Sequence, residues 1–256
     1  MRIGGVILIL ALGLAGCGGA GARLGGTSTV SRDTTVISGG ETIAIAAPPG
    51  FCVDETVSQT KSQPAFILLG SCRVIRSNAF ASAPEVRALL TASISTPTIE
   101  GATVQDNAVG MDRFFRSDTG KTALSRSSEP ETIEILDTFH DGSTYFLHAS
   151  DSSEGVVPEA ANEYWRAYFD LKGQLVALSV IGFVSRPLSP ETGLETLQHF
   201  TDLMREKNGV PVPPRTIVTT RVTENVATNP DRTDGRVTTP TNGGLIGVGL
   251  FRRIFN

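Results

Sequence analysis

Apolar and polar positions alternate with a period that changes several times along the chain, and each change predicts an element. "TTVISGGETIAIAAP", from Thr34 to Pro48, reads as two short strands about a Gly39-Gly40 turn, and Pro48-Pro49-Gly50 breaks the chain behind them. Two β-prone runs between Cys52 and Cys72 flank the polar stretch Thr60 to Pro64. A hairpin centred on Ser62 would set Val57 opposite Ile67 and Cys52 opposite Cys72, at a separation a disulfide can bridge. "APEVRALLTASI", from Ala83 to Ile94, is ambiguous: Pro84 and Glu85 suit a helix start, but Leu90 to Ser95 alternates, so a strand is expected at its end.

Val109, Met111, Phe114, Phe115 and Leu124 recur at roughly helical spacing and predict a helix over 105 to 117, weakened by Gly110 and Gly120. "TIEILDTFHDGSTYFLHAS" predicts a hairpin about Asp141-Gly142. "YWRAYFDLKGQLVALSVIGF" predicts another, with Lys172-Gly173 as its two-residue loop. That register sets Phe169 opposite Val176, Ala167 opposite Leu178 and Trp165 opposite Val180. Six apolar side chains then share one face, with Arg166, Asp170 and Ser179 on the other. Ser189-Pro190-Glu191 combines an N-cap, a first-turn proline and an acid, and Leu194, Leu197, Phe200 and Leu203 or Met204 line one face behind it. Asn208-Gly209 and Pro211 end that helix. Hairpins interspersed with helices predict an α+β domain over 34 to 209, an antiparallel sheet covered by one or two helices.

The ends of the chain break this pattern. Arg2 followed by the uncharged apolar run Val6 to Leu14 has the layout of a signal peptide, and the run is well short of the ~20 residues that span a bilayer. It closes on Leu14-Ala15-Gly16-Cys17, which resembles the lipobox of bacterial lipoproteins. The resemblance implies that residues 1 to 16 are removed and that Cys17 is diacylated as the new N-terminus. Gly18 in place of an aspartate implies export to the outer membrane. Residues 17 to 33, rich in glycine and alanine, are then a flexible lipidated spacer. The order of elements resembles the PsbP-like fold used by extracytoplasmic lipoproteins, and the chain as a whole is similar to proteobacterial lipoproteins; neither resemblance carries catalytic residues with it.

At the other end, residues 210 to 242 are rich in proline, threonine and arginine, with Asp231 and Asp234 among them and no apolar period, the composition of a linker. Residues 243 to 256 end in "GLIGVGLFRRIFN". As a helix this segment would place Ile246, Leu250, Phe251, Ile254 and Phe255 together and point Arg252 and Arg253 elsewhere. It is expected to dock on its own domain, on a partner protein of the envelope or on an anionic membrane.

Charge and cysteine count narrow the picture further. The formal net charge of −4 becomes −5 once Arg2 leaves with the signal, and no basic cluster stands out in the folded part, which argues against nucleic acid as a partner. With Cys17 acylated, Cys52 and Cys72 remain as an even pair in an oxidising compartment, with no CxxC to suggest redox chemistry.

Candidates for chemistry are few. G-x-S-x-G, H-E-x-x-H and the P-loop are absent from the sequence, and no βαβ unit accompanies the glycines of "GLIGVG". No catalytic residue, metal ligand or cofactor is expected. His140 and His148 are expected at opposite ends of a return strand, more than about 20 Å apart at ~3.3 Å per residue, and His199 on the helix surface. Tyr164, Arg166 and Tyr168, with Trp165, form the densest aromatic group, which could line a ligand groove or pack into the core. The expectation is a non-enzymatic, lipid-anchored binding or assembly module; the alternatives are a lipoprotein that binds a small ligand or lipid, and a hydrolase.

Overall fold

The computed structural model describes residues 33 to 95, 103 to 154 and 159 to 214, and the backbone of 96 to 97 and 220 to 221. Among the described residues, ten strands and four α-helices form an α+β domain. Strands β1 (Thr34–Ser38) and β2 (Glu41–Ile45) make a small antiparallel sheet of their own. The main sheet contains β3 (Phe51–Val53), β4 (Ala65–Ser71), β5 (Leu89–Pro97), β6 (Ile133–Asp141), β7 (Thr144–Asp151), β8 (Ala160–Leu171), β9 (Gln174–Phe183) and β10 (Thr220–Arg221). Its order is β10-β6-β7-β8-β9-β5-β4-β3, antiparallel throughout. The helices are α1 (Cys72–Ile75), α2 (Ala108–Arg116), α3 (Asp118–Leu124) and α4 (Pro190–Lys207).

The β8-β9 hairpin has the register its pattern predicts: Phe169 pairs with Val176, Ala167 with Leu178 and Trp165 with Val180. Lys172 and Gly173 both have positive φ, 50° and 73°, as a two-residue loop that follows the strand twist requires. All six apolar side chains of that face are buried in one core with Leu197, Phe200 and Met204 of α4 and Val36, Ile43 and Ile45 of the β1-β2 hairpin. Ser189 caps α4, its Oγ accepting from the Thr192 amide, and Gly209 at φ 71° follows Asn208 at the other end.

The opposite face is not solvent. Tyr164, Tyr168, Leu175 and Ala177 alternate with the first set and build a second core with Tyr145, Leu147, Met111, Phe115 and Leu124. The sheet is thus covered on both sides, by α4 and the small hairpin on one and by α2 and α3 on the other. The predicted 105 to 117 helix is α2, and the chain continues into α3 after Ser117, whose Oγ accepts from the Gly120 amide. A side chain at Gly120 would collide with the Phe114 carbonyl, so this glycine permits the close turn between the two helices.

Several expectations shift. The hairpin loop is Gly142-Ser143, with Asp141 paired to Thr144, one residue later than the predicted Asp141-Gly142. In the β3-β4 pair Cys52 lies opposite Gly70, not Cys72, and Val57 lies outside the strands. Asp54 accepts from the amide and hydroxyl of Thr56, and Ser58 receives and donates across to Leu68, so residues 54 to 59 turn locally and break the symmetry about Ser62. The two cysteines still meet, Cα to Cα 4.8 Å, because Cys72 opens α1 at the end of β4 and turns back over Cys52. Residues 83 to 88 form no helix before β5. The expected linker also begins inside the domain: Val210 packs on the first core, and Thr220–Arg221 pairs with β6. Backbone pairing needs no apolar period, so the composition of that stretch does not reveal it.

Replacing Cys52 and Cys72 together by alanine is expected to lower stability by about 3 kcal/mol, from the entropy of a 20-residue loop in the unfolded chain. Urea denaturation of the variant beside the oxidised and reduced parent checks this; a reduced parent as stable as the oxidised one would contradict it.

Candidate functional site

Tyr164, Arg166 and Tyr168 come together as alternate residues of β8, as their spacing requires, but on the face covered by α2 and α3 and not along an open groove. Tyr168 is fully buried and stacks on Phe115, ring centroids 5.0 Å apart. Arg166 lies over the Tyr164 ring at 5.2 Å and donates from Nε to Ser179 Oγ at 2.9 Å. Burial pushes the Tyr164 phenol up to about 12, and the Tyr168 phenol upward as well. The side chains that were candidates for a ligand groove therefore fill that space themselves.

On the α4 side, Trp165 stacks face to face on His148, centroids 4.3 Å apart and planes 3° from parallel, and His148 Nε2 lies 2.8 Å from Glu163 Oε1. Gly193 on the first turn of α4 makes room for the indole; a Cβ there would sit 2.8 Å from Trp165 Cδ1. The cavity beside these residues has a volume of about 40 Å³, room for a few waters. His140 pairs with Tyr145, only three residues from His148, so the two imidazoles are about 10 Å apart along the strands, not more than 20 Å. The longer figure counts chain length without the fold-back of the hairpin. The two still cannot share an ion, because an offset of three residues puts them on opposite faces. His199 is exposed on α4. Among the described residues no group of three or more His, Cys, Asp or Glu could hold a metal.

Two partly buried polar networks fasten the α2-α3 layer to the sheet. Asp112 accepts from Arg116 Nε at 3.1 Å and from Thr138 Oγ1 at 2.6 Å, while Arg116 Nη2 donates to Thr138 Oγ1 at 2.9 Å. Burial, then the Asp112 charge, pushes the neighbouring Tyr145 phenol well above its ordinary range. At the other end of the layer, Asp151 holds Arg126 through its amide and guanidinium, at 2.8 and 3.0 Å.

The surface offers a different kind of feature, which the sequence reading did not single out. Phe80 is 99% exposed and Val74 75% exposed, both on the segment that follows Cys72. This segment is tied down: Arg76 and Ser77 amides donate to Cys72 and Val74 carbonyls, Ala81 N to Asn78 O, Phe80 N to Asn78 Oδ1, and Arg73 Nε to Ala81 O. The disulfide anchors its start, and at Gly50, φ 83°, the chain lies so close to Ala83 and Pro84 that a side chain would collide with their backbone. The legible signal is "CRVIRSNAFASAP", apolar and basic residues without an acid after a cysteine.

Cys17 and the terminal candidates Leu250, Phe251, Arg252, Arg253, Ile254 and Phe255 lie outside the described residues. Among the described residues no helix is long and apolar enough to cross a membrane. The chain matches no known family model and no curated protein.

Proposed function

We propose that this protein is a lipid-anchored component of the bacterial envelope, acting as a binding or assembly module and not as an enzyme. The observation that carries the reading is Leu14-Ala15-Gly16-Cys17 closing a short apolar run, in a chain whose other two cysteines are paired. A disulfide fits an extracytoplasmic domain, where thiols oxidise and stay oxidised, and leaves Cys17 as the thiol available for acylation. Two or more acyl chains on one residue make a stable anchor where a single chain does not. The apolar and basic 243 to 256 segment is then a second attachment, directed at a partner protein of the envelope.

Intact mass and membrane fractionation test both parts. The parent is expected to carry diacylglycerol on Cys17 and to sediment with membranes, Cys17→Ser to be released, and a chain ending at Asn242 to remain membrane-bound while losing its partner in a pulldown. A Cys17→Ser protein that stays on the membrane until the tail is also removed would make the terminus a membrane anchor and overturn the partner role. A pulldown unchanged by loss of 243 to 256 would do the same.

A further inference from the structure

We infer that the segment following Cys72 is a membrane-contact surface for anionic lipid, with Val74 and Phe80 entering the interface and Arg73 and Arg76 meeting lipid phosphates. An almost fully exposed phenylalanine is costly to keep in water. Here it is not the result of a loosely laid chain, because the hydrogen bonds from Cys72 to Ala81 hold the segment and Asn78 Oδ1 binds the Phe80 amide itself. The fold presents this ring.

Charge selects the occupant. Between Glu55 and Glu85 the chain has no acidic residue, while Lys61, Arg73 and Arg76 are basic, in a protein whose net charge is −4. Both arginines are exposed on the same short segment as Val74 and Phe80. Basic side chains beside protruding apolar ones suit a surface that is anionic outside and hydrocarbon within. A protein partner would have to offer an apolar pocket and acids together, a more particular surface than an anionic bilayer provides.

The position in the fold agrees with this occupant. The described residues begin at Asp33, whose carboxylate accepts from the Ala47 amide at 3.3 Å and pairs with Lys207 at 2.8 Å. Gly50, which abuts Ala83 and Pro84, is three residues from Ala47, at most about 11 Å of chain. Ala83 is three further residues from Phe80, so these links keep the point where the N-terminal segment enters within about 35 Å of Phe80. Sixteen peptide steps lead from Cys17 to Asp33 and can span no more than about 58 Å. A lipid at Cys17 would leave the Phe80 segment within reach of the bilayer. That last point rests on the lipid-anchored reading; the chemistry of the segment does not.

The test removes the lipid. The mature chain from residue 17, carrying Cys17→Ser, is sedimented with vesicles of phosphatidylglycerol and phosphatidylethanolamine, and with pure phosphatidylcholine. Binding is expected to the anionic vesicles only and to weaken with added salt. Val74→Ser with Phe80→Ser should reduce the partition coefficient at least tenfold, and Arg73→Gln with Arg76→Gln by a similar factor, at unchanged melting temperature. Phe80→Trp should shift its emission to the blue on anionic vesicles, against the constant background of buried Trp165. Vesicle binding that both double variants leave intact would assign it to another part of the chain and overturn the proposal. So would an absence of binding at every lipid composition, or capture of a protein partner through Phe80 without vesicle binding. Acylation of Cys17 is read separately by intact mass, so failure of the anchor and failure of this surface give different results.

Discussion

Phe115→Ala is expected to destabilise the domain by about 3 to 5 kcal/mol and to lower its melting temperature by on the order of 10 °C. Phe115 is fully buried and is the ring that seats α2 on the sheet, stacked on Tyr168 at 5.0 Å and on Tyr145 at 5.9 Å. Its removal opens a cavity that α2 cannot easily fill, since Asp112 and Arg116 are tied to Thr138 on β6 and hold the helix at its distance. The loss should also be local in character. Hydrogen exchange is expected to accelerate first in residues 108 to 124, before α4 and the core on its side respond. Uniform acceleration across both faces would show that the two layers do not open separately.

Asp151→Ala should cost about 3 kcal/mol, the lower end for breaking a buried ion pair, because Arg126 remains partly exposed and can recover some solvation. The carboxylate is almost fully buried and accepts from Ser153 N at 2.9 Å, Ser153 Oγ at 2.6 Å and two groups of Arg126. Burial by itself raises its pKa; the donations from Ser153 and Arg126 outweigh it and bring the net value below the ordinary one. A group depressed in the folded state stabilises the fold fully above its unfolded pKa, about 3.9, and that contribution fades as pH falls through the folded value. Parent protein is therefore expected to lose stability between neutral pH and pH 3, and Asp151→Asn, which cannot titrate, to lose less over the same range. Denaturation midpoints at both pH values decide it: equal losses in the two proteins would place the acid sensitivity elsewhere.

Both predictions concern a face of the sheet that is only half legible from the sequence. In β8 the pattern Trp165, Ala167, Phe169 declares a buried face, and Tyr164, Arg166, Tyr168, Asp170 resembles a face with polar work to do. Nothing near β8 in the chain announces that Phe115, some fifty residues earlier, will cover it. Tyr164 and Tyr168 therefore suggest a ligand groove in sequence and prove to be core, and the phenols and guanidinium that looked available are largely taken up in packing and mutual contact. The Phe80 segment is the converse case. Isolated phenylalanines in a loop are presumed buried until a fold shows one left outside.

The elements that could be read correctly are those whose determinants are local. The register of β8 and β9 follows from a two-residue loop at Lys172-Gly173 and a period of two on either side. The span of α4 follows from Ser189, Pro190 and Gly209, which act within a turn of the helix ends. The Cys52 and Cys72 pairing is right for a reason that is only half local: oxidation and an even count select the pair, whereas the register that joins them depends on side-chain turns at Asp54 and Ser58. The order of the eight strands, the assignment of α4 and the α2-α3 pair to opposite faces, the addition of Thr220–Arg221 to β6 and the exposure of Phe80 belong to the assembled domain. They depend on which surfaces meet across long stretches of chain, a choice made by the combined burial of two cores that no single segment encodes.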